Sequence, residues 1–441
     1  MSLIIMERFI TEGDDFYESA LAAIRAADSR VYLEMYIFAD DEIGRRFHTA
    51  LCVAAQAGRR IVVIYDRVGS FATPAAFWRE LREAGVLVYA YHPLILRRPG
   101  DDPGFFAMWS LVARWLRALR RGFLRRNHRK TLIVDDRIAF TGGFNIMREC
   151  SRSLSGPGRW LDTMFMTDRP ILVHAIESYF RDSLRRIRGA RREIGADLNT
   201  IRKRAREAIL FPAHAARSLA LRLPRLRIPG RINARKKTTA GLRTDKRSRR
   251  LDPGYSRMAI PRAFKKLLYH SERRIYLTYP YFVPYGGMLR LLHHKAAQMQ
   301  AARRDGAPAS GVDLRIYLSM ISDLPWMRDI TMLIAARLRK RGVPVYLYHG
   351  REHREMAPRF SHSKVALIDD WCGLGASNFD RRSMVLNLES LLLRHRAPFQ
   401  KDVEDFFSYL EEHSVRLDAS NQQEFKAGWR AYLLYPFRRW I

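Results

Sequence analysis

The chain carries the same set of polar residues twice, and their types suit chemistry at a phosphate ester. Each set has a histidine, a lysine two positions later and an asparagine after a turn of small residues: His128, Lys130 and Asn145 in the first copy, and His362, Lys364 and Asn378 in the second. Cleavage of a phosphodiester requires a nucleophile at phosphorus, a proton for the leaving alkoxide and positive charge beside the non-bridging oxygens. The two sets together supply all three, and the asparagines are predicted to bind the substrate.

The spacing within the two copies is closely matched. The interval from histidine to asparagine is 17 residues in the first copy and 16 in the second. An apolar, β-branched run follows each lysine, and alternation along a strand then places histidine and lysine on one face. Each copy also has an aspartate five positions after its lysine: Asp135 and Asp369. We group both with the catalytic residues, although we expect them to brace the strand turn more than to touch substrate.

One copy supplies only one histidine, so we expect the two copies to face each other across a pseudo-twofold axis. One imidazole must be neutral to attack phosphorus while the other is protonated. An acid behind each ring can enforce this difference, and the candidates are Asp162 and Glu389. Ordinary surface ion pairs are the alternative for both acids. A covalent phosphohistidine would make the reaction two-step, so that an alcohol can replace water as the acceptor.

The similarity between the two halves extends well beyond these motifs. Residues 31–38 correspond to 275–282, and residues 85–92 correspond to 342–349. Such a long-range repeat indicates a duplicated domain. Each half alternates β-rich apolar runs with helical stretches, which predicts an α/β fold with a mixed sheet flanked by helices and a site between the two domains. The three cysteines form no metal-ligand pattern, so neither a metal nor another cofactor is predicted, and a reducing compartment is favoured.

The charge of the chain points to an anionic partner. The formal net charge is +33, which favours binding to lipid head groups or to nucleic acid. Residues 197–250 contain 17 Lys and Arg against three acids, and they are either a solvated tether or a membrane-docking arm. The sequence contains no uninterrupted apolar stretch of the ~18 residues that a membrane span requires. The protein is therefore predicted to be soluble or to lie on a membrane surface.

Two segments have the composition of interfacial helices. Residues 104–124 place phenylalanines and tryptophans on one side and arginines on the other, and residues 429–441 repeat this mixture. The alternative for residues 104–124 is that the apolar face packs on the domain core. Because two such segments occur, a bilayer is the favoured partner over DNA, and nucleic acid stays as the less favoured alternative.

The paired motifs resemble the phospholipase D superfamily, whose signature is His-x-Lys-x4-Asp followed by Gly-Gly-x-Asn or Gly-Ser-x-Asn. The resemblance covers roughly residues 31–393 and is most specific to bacterial cardiolipin synthases of the short, peripheral type, on residues 126–130, 281–284 and 378–389. The chain departs from the pattern at Ala376, where many relatives have serine or threonine.

The resemblance implies two phospholipase D-like domains, over residues 1–195 with an insertion at about 104–124 and over residues 256–441, joined by a basic linker at 196–255. It implies metal-independent transphosphatidylation, in which two phosphatidylglycerols become cardiolipin and glycerol. By analogy His128 is the nucleophile and His362 is the acid and then the base, although the roles could be reversed. The implied location is the cytoplasmic face of the bacterial inner membrane, as a peripheral protein.

Other functions stay open at this point. A hydrolase that releases phosphatidic acid differs only in whether water reaches the intermediate, and the same superfamily includes phosphodiesterases and nucleases. A non-catalytic tether for anionic lipid is a further alternative. It is less favoured, because both motifs are intact. The sequence does not identify the acceptor alcohol or the oligomeric state.

Overall fold

The computed structural model describes residues 6–91, 126–187, 259–285, 287–304, 311–351, 356–421 and 423–435. The predicted interfacial helix at 104–124 and the predicted basic linker at 196–255 lie outside these ranges, as do the last six residues of the C-terminal segment. Among the helices that the structure describes, none is long and apolar enough to cross a bilayer.

The first half builds one seven-stranded sheet. Its strands are β1 (Glu7–Ile10), β2 (Arg30–Met35), β3 (Arg60–Asp66), β4 (Leu87–Tyr91), β5 (Thr131–Val134), β6 (Ile138–Gly142) and β7 (Met164–Thr167). Its helices are α1 (Gly13–Arg25), α2 (Glu42–Gln56), α3 (Ala75–Glu83), the short α4 (Arg152–Ser155) and α5 (Pro170–Arg186). The strands lie in the order β1-β7-β6-β5-β2-β3-β4.

The second half builds a second seven-stranded sheet. Its strands are β8 (Arg274–Thr278), β9 (Asp313–Ser319), β10 (Val345–Tyr348), β11 (Val365–Ile368), β12 (Trp371–Gly375), β13 (Leu391–His395) and β14 (Ser414–Arg416). Its helices are α6 (Ala259–His270), α7 (Met288–Arg304), α8 (Pro325–Lys340), α9 (Gln400–Glu412) and α10 (Trp429–Leu434), and one π-helical turn spans Arg382–Leu386. The strands lie in the order β13-β12-β11-β8-β9-β10-β14.

Six strands of each sheet occupy equivalent positions, so β2 to β7 correspond to β8 to β13. In both halves the first three of these strands are parallel, and the other three pair antiparallel with one another. The seventh strand differs, because β1 lies beside β7 whereas β14 lies beside β10 at the opposite edge. The predicted fold, a duplicated α/β domain with mixed sheets flanked by helices, is confirmed.

The apolar side chains form three cores. Each half has an outer core between its sheet and its helices. The third core lies between the two sheets and takes side chains from both, together with α5 and α9: Tyr32, Ile133 and Phe165 from the first sheet and Tyr317, Leu367 and Leu392 from the second. An ion pair between Glu7 and Arg394, at 2.9 Å, adds a polar link across this interface. Because the halves share a core, their relative position is fixed by packing.

Candidate active site

Each candidate histidine is held by the backbone of the opposite half. The amide of His128 donates to the carbonyl of Leu388 at 2.9 Å, and the amide of His362 donates to the carbonyl of Leu161 at 2.7 Å. Both contacts belong to isolated parallel bridges that run just before β5 and just before β11. The two histidines therefore lie at the interface between the sheets, and both are buried.

The tautomer of His128 is determined by a carbonyl group. Its Nδ1 lies 3.0 Å from the carbonyl oxygen of Ala376 and 3.1 Å from Oε2 of Glu389. A carbonyl oxygen can only accept a hydrogen bond, so Nδ1 must carry the proton. The lone pair of the neutral ring is then on Nε2. The ring of Tyr36 meets the imidazole edge-on at a centroid distance of 4.7 Å and fixes its orientation.

His362 has an acid from the first half as its partner. Its Nδ1 lies 2.6 Å from Oδ2 of Asp162, and Nζ of Lys364 lies 3.5 Å from the same oxygen. Nζ of Lys364 is also 2.8 Å from Nδ1, and it donates to the carbonyl of His362. The rings of Trp160 and Phe360 flank the imidazole at 5.7 and 5.6 Å. We assign the Nδ1 proton to the bond with Asp162, because the carboxylate is the strongest acceptor present.

The two lysines are fully buried beside the histidines. Nζ of Lys130 donates to the carbonyl of His128 at 2.8 Å and lies 5.1 Å from the centroid of the Tyr36 ring. Burial, and then repulsion by Lys364, lower the pKa of Lys130 to about 7. Burial also lowers the pKa of Lys364, against the attraction of Asp162. An anion such as a phosphate group would relieve this repulsion and restore the charge of both ammonium groups.

The two asparagines have different surroundings. Oδ1 of Asn145 accepts the backbone N–H of Ile37 at 3.1 Å, so its carbonyl end is engaged with the chain. Oδ1 of Asn378 is buried and has no hydrogen-bond partner within the described residues. An unsatisfied buried amide oxygen is costly in a folded protein. Asn378 is therefore the asparagine whose side chain is available to a ligand.

The two acids differ in their charge. Burial raises the pKa of Glu389 to about 8, although Lys130 opposes this effect. Burial alone would also raise the pKa of Asp162. The attraction of Lys364 and His362 is stronger, and it holds the pKa of Asp162 below its usual value. Burial lowers the pKa of His128 well below its usual value, and Lys130 lowers it further. His128 is therefore neutral near pH 7, while Asp162 is ionised.

With this geometry described, the chain can be compared with known proteins. The family model "Cardiolipin synthase, PLD-like domain" matches residues 20–184 and 264–410, one match in each half. The chain belongs to this family. The match confirms the resemblance that the paired motifs carry.

The cardiolipin synthase family includes relatives that are similar over most of this chain. Cardiolipin synthase B of Salmonella typhimurium strain LT2 is 31% identical over 399 residues, which are 90% of this chain and 78% of the relative. Cardiolipin synthase B of Escherichia coli strain K12 is 30% identical over the same shares of each chain. Cardiolipin synthase A of Pseudomonas fluorescens Pf-5 is 27% identical and covers 95% of this chain and 69% of the relative.

A solved structure shares the fold. The phosphatidylserine synthase of Haemophilus influenzae has a TM-score of 0.58 at 14% identity and covers 98% of this chain and 93% of that chain. At this identity the likeness concerns the fold alone. It agrees with the two-sheet architecture described above.

Two members of the family motif lie away from the histidines. The carboxylate of Asp135 follows β5 and accepts backbone N–H groups of residues 28–30, and that of Asp369 follows β11 and accepts those of residues 272–274. Both aspartates have positive φ, at 51° and 50°, in the turns that follow these strands. The structure thus corrects their grouping with the catalytic residues, because each is separated from its histidine by a whole strand and braces a turn.

Several residues that belong to the site were not predicted from the sequence. Oδ2 of Asp66 accepts the N–H of Asn127, and Oγ of Ser319 accepts the N–H of Ser361, both at 3.0 Å. Each contact fixes the residue that immediately precedes a histidine. Their position in the sequence could have identified them, because Asp66 and Ser319 are the last residues of parallel strands, and the sites of α/β folds lie at such strand ends. The carbonyl of Ala376 had no such signal, because every residue has one.

Proposed function

We propose that this chain is a cardiolipin synthase that joins two phosphatidylglycerol molecules and releases glycerol. The family assignment and the cardiolipin synthase relatives support a phosphatidyltransferase. The observation that carries the mechanism is that each imidazole presents Nδ1 to an acceptor of the opposite half, which leaves both Nε2 atoms for chemistry at one interface.

In the first step Nε2 of His128 attacks the phosphorus of one phosphatidylglycerol. The P–N bond forms as the bond from phosphorus to the glycerol oxygen breaks, and Nε2–H of His362 gives its proton to that oxygen. His128 suits the role of nucleophile because its ring is neutral and its Nδ1 proton is held by Ala376. Burial and Lys364 lower the pKa of His362 as well, but the ionised Asp162 opposes this shift by stabilising the imidazolium form, so His362 is the better suited of the two rings to act as the acid.

In the second step the terminal hydroxyl of another phosphatidylglycerol attacks the phosphohistidine. His362, now neutral, takes the proton of that hydroxyl, the new P–O bond forms, and the electron pair of the P–N bond returns to His128. Lys130, Lys364 and Asn378 bind the non-bridging oxygens, with Asn145 holding the chain beside them. Because water could replace the alcohol, the exclusion of water separates this function from a phospholipid hydrolase.

The domain limits and the location belong to the same proposal. We place the first domain at residues 1–195, the linker at 196–255 and the second domain at 256–441, which agrees with the two sheets of the described residues. We place the protein on the cytoplasmic face of the bacterial inner membrane. The net charge of +33 supports contact with anionic lipid, and so do the exposed side chains of Tyr432 and Leu433 on α10.

The deciding experiment is incubation of the purified chain with phosphatidylglycerol vesicles, with and without added glycerol, and analysis of the products by mass spectrometry. We expect cardiolipin and glycerol, and less cardiolipin when glycerol is added, because glycerol reverses the first step. Phosphatidic acid as the main product would identify a hydrolase instead. A parallel incubation with single-stranded DNA should leave the DNA intact, and its degradation would favour the nuclease alternative.

A further inference from the structure

Two loops at the rim of the site occupy equivalent positions in the duplicated fold. One follows β3 and the other follows β9. The last residue of each strand, Asp66 or Ser319, binds the amide of the residue before a candidate catalytic histidine at 3.0 Å. Each contact lies within one half, and it places the loop at the edge of its sheet where the histidine of that half lies.

Each loop carries an exposed apolar side chain at the same position. Phe71 follows Asp66 by five residues, and Leu324 follows Ser319 by five residues. The exposed fraction is 82% for Phe71 and 36% for Leu324, and that of Phe71 is the largest among the bulky apolar side chains in the described part of the chain. Single exposed apolar residues are common on protein surfaces. Their occurrence at the same place in both halves, beside one site, requires a more specific explanation.

The first loop is tied to the ring that contacts His128. Oγ of Ser70 donates to the carbonyl of Tyr36 at 3.1 Å and accepts the N–H of Phe38 at 3.0 Å. The Tyr36 ring lies against His128. Phe71, the next residue, is thus one residue from a buried anchor and is held at the rim of the site.

The second loop is tied to the ring that contacts His362. The hydroxyl of Tyr281 donates to Oδ1 of Asp323 at 2.6 Å, and the Tyr281 ring lies 6.2 Å from the His362 imidazole. Leu324 follows Asp323 directly. In both loops the residue before the apolar side chain is thus hydrogen-bonded to a tyrosine whose ring contacts a histidine, although Ser70 is buried and Asp323 is exposed.

We propose that Phe71 and Leu324 insert into the surface layer of a phosphatidylglycerol bilayer on either side of the site. This inference rests on the proposed function and extends it with a route by which the substrate reaches the histidines. The acyl chains stay in the membrane while the phosphodiester enters between the two loops. Apolar contact at the headgroup boundary gains free energy in proportion to the area removed from water.

The net charge of the chain favours an anionic lipid surface as the occupant, and the local charge differs between the two loops. Arg67, on the same loop as Phe71, is exposed, and the chain carries a net charge of +33. Asp323, on the other loop, is exposed but accepts the Tyr281 hydroxyl. One basic and one acidic residue thus flank the two apolar side chains, so we expect Phe71 to contribute more than Leu324.

The test compares two physical forms of the same substrate. Phe71→Ser, Leu324→Ser and the double variant are assayed on phosphatidylglycerol vesicles and on short-chain phosphatidylglycerol kept below its micelle concentration. Loss of a phenylalanine anchor should lower the rate on vesicles about tenfold, and the double variant should be slower still. The rate on monomeric substrate should stay within about twofold, because neither side chain is needed when no bilayer is present.

Two control variants sharpen the comparison. Phe71→Trp keeps an apolar ring and should retain the rate on vesicles. Val53→Ser removes another exposed apolar side chain, 57% exposed on α2, and should change neither rate. Equal losses on both substrates would overturn the proposal, because the loops would then act on the site itself. Unchanged rates of the double variant on vesicles would overturn it as well.

Flotation with vesicles of phosphatidylglycerol and phosphatidylcholine separates this proposal from the proposed function. If wild type makes no cardiolipin from either form, the proposed function fails. Weaker flotation of Phe71→Ser would still support membrane insertion in that case. If flotation is the same for wild type and the double variant, the insertion proposal fails whatever the reaction is.

Discussion

The two histidine and acid pairs share a backbone arrangement but differ in electrostatics. His362 faces Asp162, which Lys364 keeps ionised, whereas His128 faces Glu389, whose pKa burial raises to about 8. In addition, Nδ1 of His128 lies beside a second acceptor, the carbonyl of Ala376. The duplication supplied two equivalent imidazoles, and the differences around them suit two different tasks. The pKa of His128 is lowered further than that of His362, because the attraction of Asp162 opposes the lowering at His362.

The difference between the acids has a local cause. Glu389 lies in a group of buried polar residues that includes a second acid, Asp380, whose pKa burial raises to about 7. Asp380 and Glu389 repel each other when both are charged. Asp162 instead has Lys364 at 3.5 Å, and the attraction of this ammonium group helps to hold its pKa down. The neighbourhood of each acid therefore decides which of them is ionised at neutral pH.

The largest expected effect comes from removing either ring. His128→Ala and His362→Ala should each lower kcat at least about a thousandfold, since each removes a group that takes part in bond making or proton transfer. The rate of cardiolipin formation measures this, with flotation on vesicles as the control for folding and binding. Residual activity above a tenth of wild type in either variant would contradict the paired mechanism.

The same two variants test which ring is the nucleophile. With phosphatidylglycerol labelled in its phosphatidyl group, His362→Ala should still be able to carry label on His128, while His128→Ala should carry none. Mass spectrometry of digested protein under alkaline conditions, in which phosphohistidine survives, locates the label. Label on His362 in the His128→Ala variant would reverse the two roles.

The next-largest effect should be a difference in kcat between variants of the two acids. Asp162→Asn removes the charge that stabilises imidazolium on His362, and kcat should fall about a hundredfold or more. Glu389→Gln should cost less than about tenfold, because Glu389 is largely protonated near pH 7 and the Ala376 carbonyl still holds the Nδ1 proton. Measured values of kcat at pH 7 decide this. Equal losses would mean that the two acids carry the same charge in the working enzyme.

These pairs also show what sequence alone could predict. The repeated motif led to His128 and His362, because residue types at matched spacing are visible in the chain. Both acids came from the expectation that an acid lies behind each ring, since they follow the histidines at unequal distances of 34 and 27 residues. The motif did not assign partners, since the contact between Asp162 and His362 joins residues 200 positions apart and crosses between the halves. The edge strands β1 and β14 were also not predicted, because they have four and three residues and differ between the halves.

Replacement of the two asparagines should have smaller effects, on KM for one and on the free energy of unfolding for the other. Asn378→Ala should raise KM about tenfold with little change in the free energy of unfolding, since its Oδ1 has no protein partner within the described chain. Asn145→Ala should instead lower the free energy of unfolding by about 1 kcal/mol, because the bond to the Ile37 amide is lost. Steady-state kinetics and urea unfolding measure the two quantities. A fall in stability for Asn378→Ala and none for Asn145→Ala would contradict this assignment.

The smallest effect is the dependence of stability on pH, and its sign differs between the two acids. The pKa of Glu389 is higher in the folded chain, at about 8, than the ordinary value of 4.5. The folded form therefore binds more protons between these values, and stability falls as the pH rises through this range. Asp162 has a lowered pKa, so its contribution is present above its ordinary pKa and is lost only as the pH falls through the folded value.

Each acid is tested by the difference in unfolding free energy between its amide variant and wild type, which removes the titration of groups distant from that acid. From about pH 6.5 to 8, Glu389→Gln should gain on wild type by roughly 1 kcal/mol per pH unit. Over the same range the difference for Asp162→Asn should stay constant, because Asp162 is already ionised. A parallel slope for both variants would show that the two acids titrate alike, and the division of roles between His128 and His362 would lose its electrostatic basis.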